Sequence, residues 1–259
     1  MKPDVIMLVV AHKQFDGPND KSLYRTILVG DIKSAGKNEL KDSDGEDNIA
    51  DKNAYYCELT AMYWAWKNLK CKYIGINHYR RYFMLSDKKG KTLSSVISKD
   101  ELLELLKEYD IILPKKKVLF PSSVKRYYAT HHYGKDLELV KSIIKEKKPD
   151  YLGAFNKVMK KRSMYICNMI VTNKEIYDKY CEWLFEILFE AEKRLDSSKY
   201  SKTQKRVFGF LAERLLNVWI EKNNQLTVYE LPMLSLEQKD YSLGKLAERA
   251  KRHITNEKL

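Results

Sequence analysis

Short apolar runs alternate with stretches of helical periodicity along most of the chain, and this alternation constrains the fold more than any other feature. Strand-like runs fall at 5–11, 26–32, 73–78, 110–114, 164–172 and 226–231. Between them, Leu59, Met62, Tyr63, Trp66 and Leu69 recur at helical spacing within 54–69. Ser98 and Glu101 have the spacing of a capping box, opening a helix whose apolar face includes Leu102, Leu105 and Leu106. Two longer helices carry Ile176, Tyr180, Trp183, Leu184, Ile187 and Leu188, then Val207, Phe210, Leu211, Leu215, Val218 and Trp219. Strands that alternate with helices predict an α/β fold with a mostly parallel central sheet flanked by helices.

At 259 residues the chain can bury a sizeable core. No repeat or linker divides it, so one domain is expected over 1–235. A basic extension follows at 236–259, with a helix expected over 243–254. The least ordered stretches are expected at 37–47, 88–91 and 115–117, where charge replaces periodicity.

A 44% hydrophobic share excludes wholesale disorder. No apolar run approaches the roughly 20 residues that cross a bilayer. The opening "MKPDVIMLVVAHK" has an acidic residue at Asp4 and no small-residue cleavage site, so it reads as a first strand and the protein as cytoplasmic. Cys57, Cys71, Cys167 and Cys181 form no CxxC pair and are expected to be reduced core thiols, without zinc. The net charge of +13 suits an anionic partner: a nucleic acid, a phosphorylated substrate or an anionic membrane surface.

Several motifs are absent, among them GxxxxGK, GxGxxG and GxSxG. "DSDGED" at 42–47 is not a calcium loop, because Asp47 stands where glycine is needed and Asn53 where glutamate is. A solvated acidic loop is expected there rather than a metal-binding Asp42-x-Asp44 pair.

The strongest candidate site is "YIGINHYRRYF" at 73–83. An apolar strand ends in Asn77, His78, Arg80 and Arg81. Parallel sheets bind ligands at the carboxyl ends of their strands. Arginine's planar fork matches phosphate oxygens and keeps its charge when partly desolvated. Strand alternation sends Arg80 and Arg81 to opposite faces, so both can serve one anion only if the backbone bends. The structural alternative is an arginine pair that locks loops through carboxylates such as Glu58.

His12 and Lys13 end the first strand in the same way. Asn48, Lys52 and Asn53 precede the 54–69 helix, with Asn53 placed to cap it and Lys52 to add a charge. Asn168 is a polar residue inside an apolar run and needs a partner. Glu213 and Arg214 lie side by side on a helix, near the border of its apolar face, where a carboxylate can act as general base.

"DNIADKNAYYCELTAMYWAWKN" followed by "YIGINHYRRYF" resembles the signature of a bacterial family of capsule and exopolysaccharide biosynthesis. That family is regarded as glycosyltransferases and was formerly a domain of unknown function. The resemblance extends through "YICNMIVTNKEIYDKYCEWLFEIL" and "RVFGFLAERLLNVW". It implies a GT-A-like domain and a hexosyltransferase that uses a nucleotide sugar, with UDP-galactose in pyranose or furanose form the expected donor. The acceptor implied is a glycan or lipid-linked glycan, with peripheral contact to anionic lipid at the inner membrane face. On this reading His12, Lys13, His78, Arg80 and Arg81 lie about the diphosphate, where many such enzymes carry Asp-x-Asp and manganese. No metal is therefore expected, and a divalent Mn or Mg ion is the less favoured alternative. Glu213 is the expected base and Glu58 the second choice.

A competing class is nucleic-acid handling. His78 to Arg81 spells HxxR, a motif of tyrosine recombinases, and the basic charge is compatible with DNA or RNA. Those recombinases have helical catalytic domains, whereas this HxxR follows a strand. No RNP-type aromatic motif supports an RNA-binding module.

Overall fold

The computed structural model describes residues 4–30, 32, 39–85 and 92–236. Its first strand, β1 (Val5–Ala11), is buried along its whole length. Ile6, Leu8 and Val10 point into one apolar core, while Val5, Met7, Val9 and Ala11 point into another. A strand covered on both faces belongs to the middle of a layered α/β sheet, which is why it reads as a continuous apolar run.

The other strands are β2 (Tyr24–Leu28), β3 (Leu40–Lys41), β4 (Tyr73–His78), β5 (Arg81–Phe83), β6 (Ile111–Pro114), β7 (Lys117–Val118), β8 (Ser163–Met164), β9 (Val171–Asn173), β10 (Val228–Leu231) and β11 (Met233–Ser235). The main sheet runs β10-β6-β9-β4-β1-β2-β3. Only β9 is antiparallel to its neighbours along that path. β5 folds back on β4, β11 pairs with β5, and β7 with β8 form a separate ribbon. The sheet is thus mostly parallel and flanked by helices, as the alternation predicts.

The helices are α1 (Asn53–Tyr56), α2 (Leu59–Asn68), α3 (Lys99–Glu108), α4 (Val124–His131), α5 (Gly134–Lys147), α6 (Leu152–Lys160), α7 (Lys174–Arg194) and α8 (Val207–Lys222). α3 covers the smaller core with Leu102 and Leu106, and Ser98 and Glu101 close its capping box. The larger core lies under α2 and α4 to α8. Gly75 keeps the sheet centre closed: a Cβ there would stand 2.1 Å from Met7 Sδ.

Several expectations need correction. The helix expected at 54–69 breaks at Cys57, whose φ of 53° and ψ of −127° end α1. Asn53 does not cap it; its Nδ2 donates to the Cys57 carbonyl at 2.8 Å and to Thr60 Oγ1 at 3.0 Å, holding the break. The strand expected at 164–172 is two short strands, because Cys167 (φ 70°) and Asn168 (φ 50°) turn the chain between them. The strand expected at 26–32 lies at Tyr24–Leu28 and gives way to a turn at Gly30, φ 79°. Residues 124–160, which had no predicted element, form α4, α5 and α6; basic residues dilute their apolar stripes in the sequence. The stretch expected to be loose at 115–117 leads into β7, and 39–47 includes β3. The 88–91 run and the C-terminal helix at 243–254 lie outside the described residues.

Asp42 departs most from a solvated loop. It is buried, accepts from Thr60 Oγ1 at 2.5 Å, and burial raises its carboxyl above the usual range.

Candidate active site

β1 and β4 are parallel neighbours with Val10 opposite His78, so their carboxyl ends share one edge of the sheet. This sets His12 and Lys13 beside the 78–80 segment. β4 then reverses into β5 through Tyr79 and Arg80, with His78 paired to Arg81 across the hairpin. The bend separates the two arginines. Arg80 stands at the exposed tip and Arg81 enters β5 half-buried.

Tyr79 organises the first wall. The His12 ring meets its edge with centroids 5.2 Å apart, Arg80 Cζ lies 4.7 Å from its centroid and Lys13 Nζ 5.6 Å. Burial holds the His12 pKa below its ordinary value, and the charges of Arg80, Lys13 and Arg206 push it the same way. His12 is therefore a neutral ring among cations.

The opposite wall is the Cys167–Asn168 turn. Glu213 Oε1 accepts from the Cys167 N–H at 2.9 Å, and Glu58 Oε1 accepts from Asn168 Nδ2 at 2.8 Å. His78 Nε2 lies 2.6 Å from the Cys167 carbonyl. A carbonyl only accepts, so Nε2 carries the proton and a neutral His78 keeps Nδ1 as its acceptor. Cys57, Cys167 and Asn168 are the non-glycine residues with positive φ among the described residues, and all three lie in this site. Strained backbone collected at one place is a mark of function.

Arg214 is buried; its Nη1 donates to Glu213 Oε2 and to the Phe210 carbonyl, each at 2.9 Å. It braces the carboxylate from behind. Glu58, considered above as a partner of the arginine pair, accepts from Asn168 and lies in the field of Arg206.

Sequence reasoning missed Arg206. Its Nε donates to Cys57 Sγ at 3.1 Å, and its charge acts on Glu58, Glu213 and His12. A signal existed, since a cation at the amino end of a helix opposes the macrodipole. His132 was also missed. It stacks on Phe210 at 3.9 Å, and burial, reinforced by Arg214, drives its pKa down to about 3.

Three other candidates do not join this cluster. Lys52 pairs with Glu192 at 2.7 Å. Asn48 closes its own loop through the Gly45 carbonyl and the Ala50 N–H. Asn77 is fully buried in β4, and neither amide atom has a partner. Cys71 and Cys181 are core thiols as expected, but Cys57 and Cys167 are only half-buried and line the site. Burial pushes the Cys57 thiol up to about 11, which keeps it protonated at neutral pH. Among the described residues no group of three or more His, Cys, Asp or Glu side chains is placed to hold a metal ion.

Lys13, Arg80 and Arg206 thus gather near two carboxylates at the carboxyl edge of a mostly parallel sheet. Such a cluster can hold an anion and place a base beside it. Residues 6–224 match the family described as a domain of unknown function, DUF4422, and the chain belongs to that family. The apo structure of the bifunctional glycosyltransferase WbbM is similar to it, with a TM-score of 0.78 and 29% identity, covering 91% of this chain. The chain spans 46% of that protein's length. No curated protein sequence matches it. The HxxR pair, His78 and Arg81, faces across a β-hairpin rather than lying in a helical domain.

Proposed function

We propose that the protein is a nucleotide-sugar-dependent hexosyltransferase with UDP-galactose, pyranose or furanose, as its donor. Its acceptor is a glycan or lipid-linked glycan of capsule or exopolysaccharide synthesis, met at an anionic inner membrane face. The observation that carries this reading is the meeting of three cations with Glu58 and Glu213 at the β1 and β4 strand ends, in a fold like that of a glycosyltransferase.

Lys13, Arg80 and Arg206 bind the donor diphosphate. As the bond between the anomeric carbon and the β-phosphate oxygen breaks, its electron pair leaves with the nucleoside diphosphate, and these cations stabilise the growing charge. The acceptor hydroxyl oxygen bonds to the anomeric carbon and gives its proton to Glu213, held by Arg214 and the Cys167 N–H. His78 stands at the same turn and orients it. The side chains supply enough positive charge for this reading to need no metal.

A thermal-shift panel of nucleotides and nucleotide sugars, with and without EDTA, tests donor and metal together; product NMR then gives the sugar and linkage. Saturable stabilisation by uridine nucleotides with EDTA present is expected. Activity lost to EDTA and restored only by a divalent ion would overturn the metal-free mechanism. Tight oligonucleotide binding without any nucleotide-sugar response would overturn the transferase reading itself.

A further inference from the structure

Two features outside the strand-end cluster coincide on one face. Val118 and Phe120, 72% and 69% exposed, are the large apolar side chains that stand out into solvent among the described residues. Leu119 between them is buried, so Val118 at the end of β7 and Phe120 in the turn after it flank an inward-facing side chain. Beside them, α4, α5 and α6 enclose a groove of about 520 Å³. Its lining holds five cations, Lys125, Arg126, Lys141, Lys160 and Arg162, against one carboxylate, Glu138. Lys125 already holds that carboxylate at 2.6 Å, and Lys141 lies within its field. The charge of the groove is therefore largely uncompensated, unlike that of nearby Lys157 and Lys161, which share Glu221.

The two features are physically joined. The Arg162 guanidinium lies 5.4 Å over the Phe120 ring, and the Arg162 carbonyl accepts from the Leu119 N–H at 2.8 Å. An apolar tip beside a groove of uncompensated cations is complementary to an anionic bilayer. The ring and the valine enter the boundary of headgroups and acyl chains, while the cations stay at the phosphates. A nucleic acid would engage the cations but leave Val118 without an apolar contact.

We propose that this face, built from β7 and the α4–α6 groove, docks the protein on anionic phospholipid. Helix α4 belongs to both sites, since Arg126 lines the groove and the Tyr128 ring lies 5.0 Å from Arg214 Cζ. The proposal deepens the reading above by naming the surface that brings a lipid-linked acceptor to the strand-end cluster. Vesicle binding requires no turnover, so the two readings fail separately.

The test is cosedimentation of the full chain with vesicles of phosphatidylcholine alone or mixed with phosphatidylglycerol, at low and high salt. Binding is expected only to the anionic vesicles and weakens with salt. Arg126→Ala and Lys160→Ala each lower the partition about fivefold. Val118→Ser with Phe120→Ser lowers it on the order of tenfold or more, while transfer to a soluble acceptor is unchanged. Phe120→Trp adds blue-shifted emission on anionic vesicles. Neutralising Arg249, Lys251 and Arg252, three cations of the basic 236–259 extension, leaves most of the binding intact. Equal binding to neutral vesicles, no effect of the Val118 and Phe120 changes, or complete loss on neutralising the C-terminal cations would each overturn the proposal. So would groove variants that lose oligonucleotide binding in a chain that ignores vesicles.

Discussion

Glu213→Gln keeps the shape of the side chain and removes its charge, and two contacts change at once. Arg214, with 2% of its side chain exposed, loses its anionic partner, whose own exposure is 22%. An exposed pair contributes up to about 1 kcal/mol, and breaking a buried one costs about 3–5 kcal/mol. This half-covered pair falls between, at about 2 kcal/mol. The bond from the Cys167 N–H becomes neutral, costing about 1 kcal/mol more. The expected loss is roughly 3 kcal/mol, a fall in Tm of roughly 6–12 °C for a domain of this size. Scanning fluorimetry and urea unfolding read that loss. Donor titration and turnover, measured well below the lowered Tm, read the chemistry. Turnover should fall about a hundredfold or more, with donor affinity nearly unchanged. Adding Arg214→Met should recover about 2 kcal/mol of stability, because no buried cation is left unpaired, and should recover no turnover. A stability loss under about 0.5 kcal/mol would refute the bracing argument, and undiminished turnover would exclude Glu213 as the base.

Gly75→Ala forces a methyl against Met7 Sδ and within 3.2 Å of Val171 Cγ2. It should cost about 1–3 kcal/mol in urea unfolding, partly relieved by Met7→Ala, and a neutral result would show that the sheet centre gives. Asn77→Leu replaces a fully buried amide without a partner, and should raise stability by about 1 kcal/mol; a loss would mean that the amide is satisfied in solution. His132, held at about 3 by burial, makes the folded state less stable as pH falls below its ordinary value, because the unfolded chain takes up the proton. Asp136, raised by burial to about 6, acts in the opposite sense, its contribution present below pH 4 and lost as pH rises through 6. These two contributions should therefore nearly cancel from pH 7 to 5. Asp136→Asn should lose about 2 kcal/mol over that range and His132→Phe gain about 1 kcal/mol; parallel curves for all three proteins would refute both assignments. Arg206→Ala should weaken donor binding about tenfold or more in calorimetry, as loss of a charged hydrogen bond implies, and unchanged affinity would remove it from the diphosphate site.

The sequence by itself determined the layers. Val5–Ala11 and Tyr73–His78 have the bounds that their apolar runs predict, because a strand buried on both faces leaves a continuous hydrophobic signature. The Ser98 and Glu101 cap was equally legible, since its chemistry is local. Strand-end placement also makes the neighbourhood of His12, Lys13, His78 and Arg80 legible, because β1 and β4 end at one edge of the sheet. Only the tertiary structure decided the rest. Cys57, Cys167 and Asn168 adopt positive φ in segments that read as helix and strand, because long-range bonds to Arg206, Glu213 and Glu58 hold them there. Those partners stand 149, 46 and 110 residues away along the chain. Local propensity carries no trace of such bonds. The same reason hid Arg206 and drew Lys52 away to Glu192, since each outcome depends on which distant side chain arrives.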